Sequence, residues 1–371
     1  MTVALHNDLI QTVEDLHYYL TQALKIEHAT IPPYITALYS MKPGTNIEAF
    51  QILRTVAVEE MLHLTLAANV FNAVGGDIKS VLTDPDFMPT YPTVLPTGET
   101  DFEVGLSKFS RETVRTFLNI ERSKEAEPGQ PVVVPREHKN YILQVRHREP
   151  HYSFYSIGQF YGEIIRGLHA LHKEMGDDLF CGDRSKQITK EYYYDGGGEI
   201  IPVTDLKSAI MALREIQEQG EGSGKERIYD GDRELSHYYR FHQLIAGEDE
   251  GANCGQYYVI DREDPEQSDL PGHPTGEKFA VDWDAVYPII ENPKLSDYPE
   301  GSELNTAAQK FLASYTDFLG KLEFAFDGNP AALIPAVGGM FRLKYLAEKI
   351  IKNPVPGMPE VNGAPVYRQQ Q

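Results

Sequence analysis

Cysteine is scarce in this sequence, and no cysteine motif is present. The 371 residues contain two cysteines, Cys181 and Cys254, which lie far apart and form no Cys-x-x-Cys pair. This excludes a disulfide framework and a zinc site built from thiolates. No apolar run approaches the roughly 18 residues that a membrane span needs, and residues 1–20 lack the apolar core of a signal peptide. We therefore expect a protein of the cytoplasm, where thiols stay reduced.

Positive charge is also in short supply. Lysine and arginine number 34 against 55 aspartates and glutamates, so the formal net charge is -21. Nucleic acids and anionic membranes bind to basic surfaces, so this excess of carboxylates argues against both as partners. The hydrophobic content of 41% and the charged content of 24% are those of a globular protein with an ample core.

Helical spacing of apolar residues, by contrast, runs through most of the chain. It predicts four main helices over residues 7–40, 47–74, 153–175 and 205–220, and further helices over 110–121, from 233, over 302–326 and over 330–350. Proline-rich or turn-rich loops are expected over 79–104 and 251–299. The predicted fold class is an all-α four-helix bundle with additional helices and long loop insertions. We expect residues 1–250 to form the bundle and residues 251–371 to pack on it.

The second predicted helix carries ionisable groups on its apolar face. The positions that share this face are Leu53, Val56, Glu60, His63, Ala67, Val70 and Val74. A buried carboxylate and a buried imidazole are costly unless ion pairs, hydrogen bonds or a metal compensate. Glu60 and His63 therefore predict partners on other helices.

Glu27 is the first such partner. It lies between Leu24 and Ile31 on the apolar stripe of the first helix. Glu27 and Glu60 are separated from the predicted turn at Gly44 by almost equal numbers of residues. An antiparallel helical hairpin therefore brings both carboxylates to the same level.

Three Glu-x-x-His motifs occur, beginning at Glu14, Glu60 and Glu234. The first lies off the apolar stripe of its helix, whereas the other two are in phase with apolar residues. Together with Glu27 and Glu163 from two further helices, these two motifs match the ligand pattern of dinuclear carboxylate bundles. The predicted metal ligands are Glu27, Glu60, His63, Glu163, Glu221, Glu234 and His237.

Two carboxylates compete for the last position in this set. Level counting from Glu163 favours Glu221, because the following helix reaches the same height near its end. The Glu-x-x-His motif favours Glu234. Glu59 is a lesser rival of Glu60, because it shares a face with other apolar residues of the same helix.

The predicted ligand set determines the expected chemistry. Carboxylates and imidazoles suit two divalent metal ions, bridging carboxylates hold the ions close, and open positions remain for dioxygen or water. The predicted cofactor is therefore a pair of divalent ions, with iron the expected metal. We expect an enzyme whose partners are dioxygen and a small-molecule substrate, and the sequence is compatible with a homo-oligomer.

Five segments also resemble the ferritin-like domain family named after iminophenyl-pyruvate dimer synthase. They are Ile26–Tyr34, Glu59–His63, Ile157–Tyr161, Gln219–Gly222 and His237–Phe241. Members of this family occur inside larger bisindole-pigment synthases that couple imines derived from aromatic amino acids. The resemblance implies a helical bundle with a metal site, and it suggests an aromatic, amino-acid-derived substrate.

Two other functions compete with an oxidase. The first is a ferroxidase or iron-binding protein without an organic substrate, although the long loops over 79–104 and 251–299 should obstruct packing into a closed storage shell. The second is a metal-free scaffold in which buried carboxylates pair with arginines such as Arg166 or Arg240.

Overall fold

The computed structural model describes residues 9–95, 102–123, 134–135, 152–154, 156–221, 227–247 and 253–369. Helices dominate this part of the chain, which confirms the all-α fold class. The helices are α1 (Val13–Ser40), α2 (Ile47–Ala73), α3 (Arg111–Glu121), α4 (Ile157–Met175), α5 (Leu206–Glu221), α6 (His237–His242), α7 (Glu303–Phe326), α8 (Leu333–Gly338) and α9 (Met340–Ile351).

The strands are short and form antiparallel pairs rather than a central sheet. The first pair joins β1 (Val134–Pro135) to β2 (Tyr152–Ser153), and the second joins β3 (Cys254–Gln256) to β4 (Lys278–Ala280). The third pair joins β5 (Pro354–Val355) to β6 (Met358–Asn362). The predicted loop over 251–299 thus contains a small hairpin.

Helices α1, α2, α4 and α5 make the four-helix bundle. The antiparallel pair α1 and α2 is in the most extensive contact, α4 packs against α1 and α5, and α5 packs against α2. Helices α3 and α6 pack on each other and lie against α1 and α2 respectively. The first and last residues of α2, α4 and α5, and the last residue of α1, lie within a few residues of the predicted positions. Helix α1 begins at Val13 rather than at residue 7, and residues 7 and 8 lie outside the described part.

Helix α1 begins with a capping box and then passes through two prolines. Thr12 and Asp15 exchange side-chain to backbone hydrogen bonds at its start. Pro33 has no N–H to donate to the carbonyl of Ala29, and the hydroxyl of Tyr91 donates to that carbonyl instead, at 2.6 Å. The helix therefore continues across the prolines with this buried acceptor satisfied.

The turn between α1 and α2 is tied to the C-terminal half of the chain. Asn46, which precedes α2, has a left-handed backbone with φ 48°. Its side-chain amide donates to the carbonyl of Asp282 at 2.8 Å and accepts from the N–H of Asp282 at 2.7 Å. This paired bond fixes the closed end of the hairpin that carries Glu27 and Glu60.

The C-terminal helices cover one side of the bundle. Helix α7 packs against α9 and α2, and α9 packs against α1. One apolar cluster includes residues of both parts of the chain, such as Leu20 and Phe311. The division at residue 250 stays a prediction. In the described ranges, none of the helices combines the length and the apolar character that crossing a membrane requires.

Candidate metal centre

Glu60 lies at the centre of a buried group of carboxylates and imidazoles. Ligand atoms of Glu60, His63 and His237 lie within 4.8 Å of one another. Oε1 of Glu60 is 3.1 Å from Nδ1 of His237, and Oε2 is 3.9 Å from Nδ1 of His63. Thr30 donates a hydrogen bond of 2.9 Å to Oε2. Each oxygen of this carboxylate thus faces a different imidazole.

The His63 half-site consists of Glu27, His63 and Oε2 of Glu60. Oε2 of Glu27 lies 3.3 Å from Nδ1 of His63. The other oxygen of Glu27 accepts a hydrogen bond of 2.5 Å from the hydroxyl of Tyr161 on α4. The carboxylates of Glu27 and Glu60 thus lie at the same height in the hairpin of α1 and α2, as their equal spacing from the turn predicts, because both approach Nδ1 of His63.

The His237 half-site consists of Glu121, His237 and Oε1 of Glu60. Nδ1 of His237 lies 3.5 Å from Oε2 of Glu121. The other oxygen of Glu121 accepts a hydrogen bond from the hydroxyl of Tyr34. Glu121 is the last residue of α3 and His237 is the first of α6, so the packing of these two short helices assembles this half-site.

The Nε2 atoms of both imidazoles face acceptors outside the cluster. The amide group of Gln219 donates to the carbonyl of Gly197 at 3.1 Å and to Glu215 at 2.8 Å, so its oxygen accepts from Nε2 of His63 at 2.9 Å. Oε2 of Glu59 lies 3.0 Å from Nε2 of His237. Since a carboxylate only accepts, this network assigns the proton of each neutral imidazole to Nε2 and leaves Nδ1 as the ligand atom.

The electrostatics of the cluster favour a bound cation. Burial raises the pKa of the Glu60 carboxyl, and the charge of Glu121 raises it further. Burial alone would lower the pKa of His63, but hydrogen bonding to Glu27 and the charge of Glu60 outweigh it and raise that pKa. Without metal, protons therefore compensate the negative charge of these carboxylates. Divalent ions would compensate the same charge, and their binding would release the protons.

One buried nitrogen has the surroundings that a metal ligand requires. Nδ1 of His237 is buried without a well-aligned hydrogen bond, although two carboxylate oxygens lie within 3.5 Å of it. Burial lowers the pKa of His237, but the charge of Glu121 and hydrogen bonds to the neighbouring carboxylates outweigh it and raise that pKa, so the ring holds a proton without metal and a bound ion would take the place of that proton. Three carboxylates and two imidazoles are also the donors that iron and manganese accept.

The structure brings four of the seven predicted ligands together: Glu27, Glu60, His63 and His237. It places Glu163 elsewhere. Arg166 donates to Glu163 at 2.9 Å, and the backbone N–H of Leu9 donates to it at 3.2 Å. This is the arginine pairing that the scaffold hypothesis anticipated for a buried carboxylate, and it directs Glu163 away from the cluster.

The two rivals for the last ligand position also lie outside the cluster. Glu221 ends α5 and accepts a hydrogen bond of 2.7 Å from the N–H of Gly158, and burial raises the pKa of Glu221 to about 7. The side chain of Glu234 is 48% exposed and pairs with Arg262. The predicted helix from residue 233 begins at His237 instead, so Glu234 precedes the helix and does not share its face.

Glu121 is the functional candidate that the sequence prediction missed. It follows Val114 and Phe117 in steps of three and four, so it lies on the apolar stripe of α3 in the same way that Glu60 lies on that of α2. The same signal could have found it. The hydrogen-bonding residues Tyr34, Tyr161 and Gln219 carry no such signal, because neutral polar side chains in helices are common.

A cavity of about 350 Å³ lies next to the residues that contact the two imidazoles. Glu59 and Gln219, which hold the Nε2 atoms, are part of its wall, together with Arg54, Asp230 and Arg240. A small molecule in this cavity would therefore contact Glu59 and Gln219, the side chains that contact the two histidines.

The fold and the cluster together define a ferritin-like protein with a candidate site of carboxylates and histidines. A family model described as ferritin-like matches residues 20–246, which is more than half of the chain, and the chain belongs to this family. The match confirms the ferritin-like resemblance of the sequence.

The chain is similar to a named synthase and to a solved structure of a ferritin-like protein. Dichlorochromopyrrolate synthase of Lentzea aerocolonigenes is 23% identical over 303 residues, which are 75% of this chain and 25% of that protein. The chain thus spans about a quarter of the length of this relative. A crystal structure of a ferritin-like protein from Caulobacter vibrioides matches with a TM-score of 0.60 at 20% identity, covering 96% of this chain and 99% of that one. At this identity the match shows the shared fold.

Proposed function

We propose that the protein is a dinuclear metal oxidoreductase, with iron the expected metal, that uses dioxygen to oxidise a small organic molecule. Glu60 carries this proposal, because its two oxygens face His63 and His237 from a fully buried position. Glu27 and Glu121 add one further carboxylate on each side. A central carboxylate that can bridge two ions, with one imidazole and one carboxylate for each, is a dinuclear ligand set.

The surrounding residues support this role by orienting the ligands. Tyr161 and Tyr34 each donate to one oxygen of a carboxylate and leave the other oxygen free to bind. Gln219 and Glu59 fix the rotation of the two rings through Nε2. Burial keeps water from the cluster, and bound redox-active ions would supply electrons and a binding position for dioxygen.

The substrate class rests on similarity. The motif resemblance favours an aromatic, amino-acid-derived molecule as the compound that is oxidised, and the similarity to a protein named dichlorochromopyrrolate synthase favours a small organic molecule. The cavity beside Glu59 and Gln219 offers about 350 Å³, which is within the usual size of small-molecule sites. We propose that the reaction takes place in the cytoplasm, where ferrous iron is available.

Anaerobic titration with ferrous iron tests the dinuclear site. We expect about two iron ions per wild-type chain, and absorption of an oxo-bridged ferric pair after oxygen is added. Glu60→Ala combined with His63→Ala should lose both ions, because it removes the shared carboxylate and one imidazole. Glu163→Gln is the matched control, since Glu163 pairs with Arg166 outside the cluster and should leave the stoichiometry unchanged.

Two outcomes would replace the proposal. Protein that is grown with iron and contains no stoichiometric metal would leave the metal-free scaffold as the explanation. A large hollow oligomer in size-exclusion chromatography, with many ferric ions per chain, would establish iron storage instead.

A further inference from the structure

The two imidazoles of the cluster donate to acceptors of different charge. Nε2 of His237 faces the carboxylate of Glu59, whereas Nε2 of His63 faces the neutral amide of Gln219. We infer that the half-sites differ in affinity and that the His237 half-site binds a divalent cation more tightly than the His63 half-site. This inference rests on the proposed dinuclear site and concerns the residues that position its ligands.

Glu59 gives the His237 half-site its advantage. The residue is 6% exposed and its carboxylate lies 3.0 Å from Nε2 of His237, so it acts on the ring with little screening by water. A ligand imidazole that donates its second N–H to a carboxylate is a stronger electron donor to the metal. Arg240 holds Glu59 in this position, with Nη2 3.2 Å from its other oxygen.

Gln219 gives His63 a weaker partner. Its oxygen accepts from Nε2 at 2.9 Å, but the amide carries no net charge. The nearest carboxylate behind it is Glu215, which accepts from the amide nitrogen of Gln219 at 2.8 Å. That charge therefore acts on His63 through an intervening side chain rather than by direct contact.

The charges of Arg240 and Glu215 reduce the difference in affinity between the two half-sites but do not reverse it. The cation of Arg240 withdraws electron density from Glu59, and the carboxylate of Glu215 adds some to Gln219. Both charges stand one side chain farther from the rings than the direct partners do. Because Coulomb energy falls with distance, the direct partner determines which ring is the stronger donor.

The remaining ligands of the two half-sites are matched, except that Thr30 donates to Oε2 of Glu60 on the His63 side. Glu60 is shared, Glu27 accepts from Tyr161, and Glu121 accepts from Tyr34. The largest chemical difference between the half-sites in the described residues is therefore the acceptor at Nε2. Exchanges between Glu and Gln at these two positions preserve the size of the side chain. Glu59→Gln removes a charge, whereas Gln219→Glu adds a charge and also removes the N–H groups that donate to Gly197 and Glu215.

Variants with one imidazole each provide the test. His63→Ala retains the His237 half-site, and His237→Ala retains the His63 half-site. Co²⁺ is titrated into each by calorimetry under air, with the visible absorption of bound cobalt as a second readout. We expect His63→Ala to bind Co²⁺ at least about tenfold more tightly than His237→Ala, in line with the usual effect of partners beyond the ligands.

Charge exchange in the same backgrounds assigns the cause. Glu59→Gln should weaken Co²⁺ binding about tenfold in His63→Ala and leave His237→Ala unchanged. Gln219→Glu should strengthen binding in His237→Ala and leave His63→Ala unchanged. A purely structural role of either residue would weaken binding in both backgrounds.

Wild-type protein provides an arm that needs no substitution. At one equivalent of ferrous ⁵⁷Fe, anaerobic Mössbauer spectra should show one dominant quadrupole doublet, and a second should grow with the next equivalent. Equal or inverted affinities of the two variants, or two doublets that grow together from the start, would overturn the inference and leave the dinuclear site intact. Failure of the wild-type chain to bind metal would overturn both.

Discussion

Nδ1 of His237 lies 3.1 Å from Oε1 of Glu60, and neither residue is more than 3% exposed. The pair lies between two further carboxylates, Glu27 and Glu121, so negative charge accumulates where water cannot solvate it. Burial raises the pKa of Glu60 for this reason. The buried charges therefore lower the stability of the metal-free fold. A bound cation would remove this cost, and the free energy released would strengthen its binding.

Glu60→Gln should have opposite effects on the two forms of the protein. Without metal at pH 8, the variant should gain about 1 kcal/mol in its free energy of unfolding, because burial and the charge of Glu121 raise the pKa of Glu60 to about 7 and its ionised form therefore disfavours the fold. With metal at a hundredfold excess over Kd, the wild type should gain about 2.7 kcal/mol and the variant should not. Urea denaturation with and without a chelator measures both.

Glu234→Gln is the control for this experiment, since its carboxylate is half exposed and outside the cluster. It should change the free energy of unfolding little in either form. A Glu60→Gln variant that is less stable than the wild type in the presence of the chelator would show that the imidazoles already compensate the carboxylate.

Tyr91→Phe tests how α1 accommodates its prolines. The variant leaves the carbonyl of Ala29 without its hydroxyl donor in a buried position, and Pro33 cannot replace that donor. We expect a loss of about 1–3 kcal/mol in the free energy of unfolding. Tyr257→Phe removes a hydroxyl from a side chain that is 37% exposed and should cost much less. Equal losses in the two variants would exclude a special role for the Tyr91 hydroxyl.

The sequence predicts the bundle and half of the candidate site for a physical reason. Helical periodicity depends on local spacing, and the turn at Gly44 fixes the level of Glu27 against that of Glu60. The second half depends on contacts between segments that are far apart in sequence. Glu121 and His237 meet because α3 and α6 pack together, which spacing along the chain does not encode.

The sequence prediction assumes that each long helix contributes a ligand. In the structure, α4 contributes Tyr161 and α5 contributes Gln219, and both side chains orient ligands on other helices. Glu163 lies beside the apolar stripe of its helix rather than on it, and Arg166 three residues later pairs with it. A nearby cation at helical spacing is therefore the signal that separates a paired carboxylate from a ligand.

Gly197→Ala should displace the residue that orients His63. Gly197 has φ +82°, and a Cβ there would lie 3.0 Å from Cα of Glu59. Its carbonyl accepts from Gln219, so a shift of this turn alters the hydrogen bond to His63 as well. We expect a cost of about 2 kcal/mol or more, from backbone strain of about 1 kcal/mol and from crowding. The variant should also bind metal less tightly, as titration calorimetry would show.

Gly44→Ala separates the cost of backbone strain from the cost of crowding. Gly44 has φ +81°, and a Cβ there would extend into open space with no packing neighbour within 4 Å, so the substitution introduces strain alone. It should cost about 1 kcal/mol and leave metal affinity unchanged. If the two alanine variants lose the same stability and bind metal equally, the close approach of Gly197 to α2 has no functional effect.

Asp230→Asn should stabilise the protein in a manner that depends on pH. Asp230 is buried beside the cavity, and burial raises its pKa from 3.8 to about 6 even though the backbone N–H groups of Asp232 and Glu234 donate to it. The folded state therefore binds more protons than the unfolded state between about pH 4 and pH 6, and stability falls as the pH rises through this range. The variant should be about 1 kcal/mol more stable than the wild type at pH 7.5, allowing for solvent in the cavity, and no more stable at pH 4.

Asp205→Asn should show the opposite trend, because hydrogen bonds from Ser208 lower the pKa of Asp205 and its contribution is present above its unfolded pKa. Urea denaturation of both variants at the two pH values measures the effect, and a gain from Asp230→Asn that is equal at pH 4 and pH 7.5 would rule out ionisation as its cause.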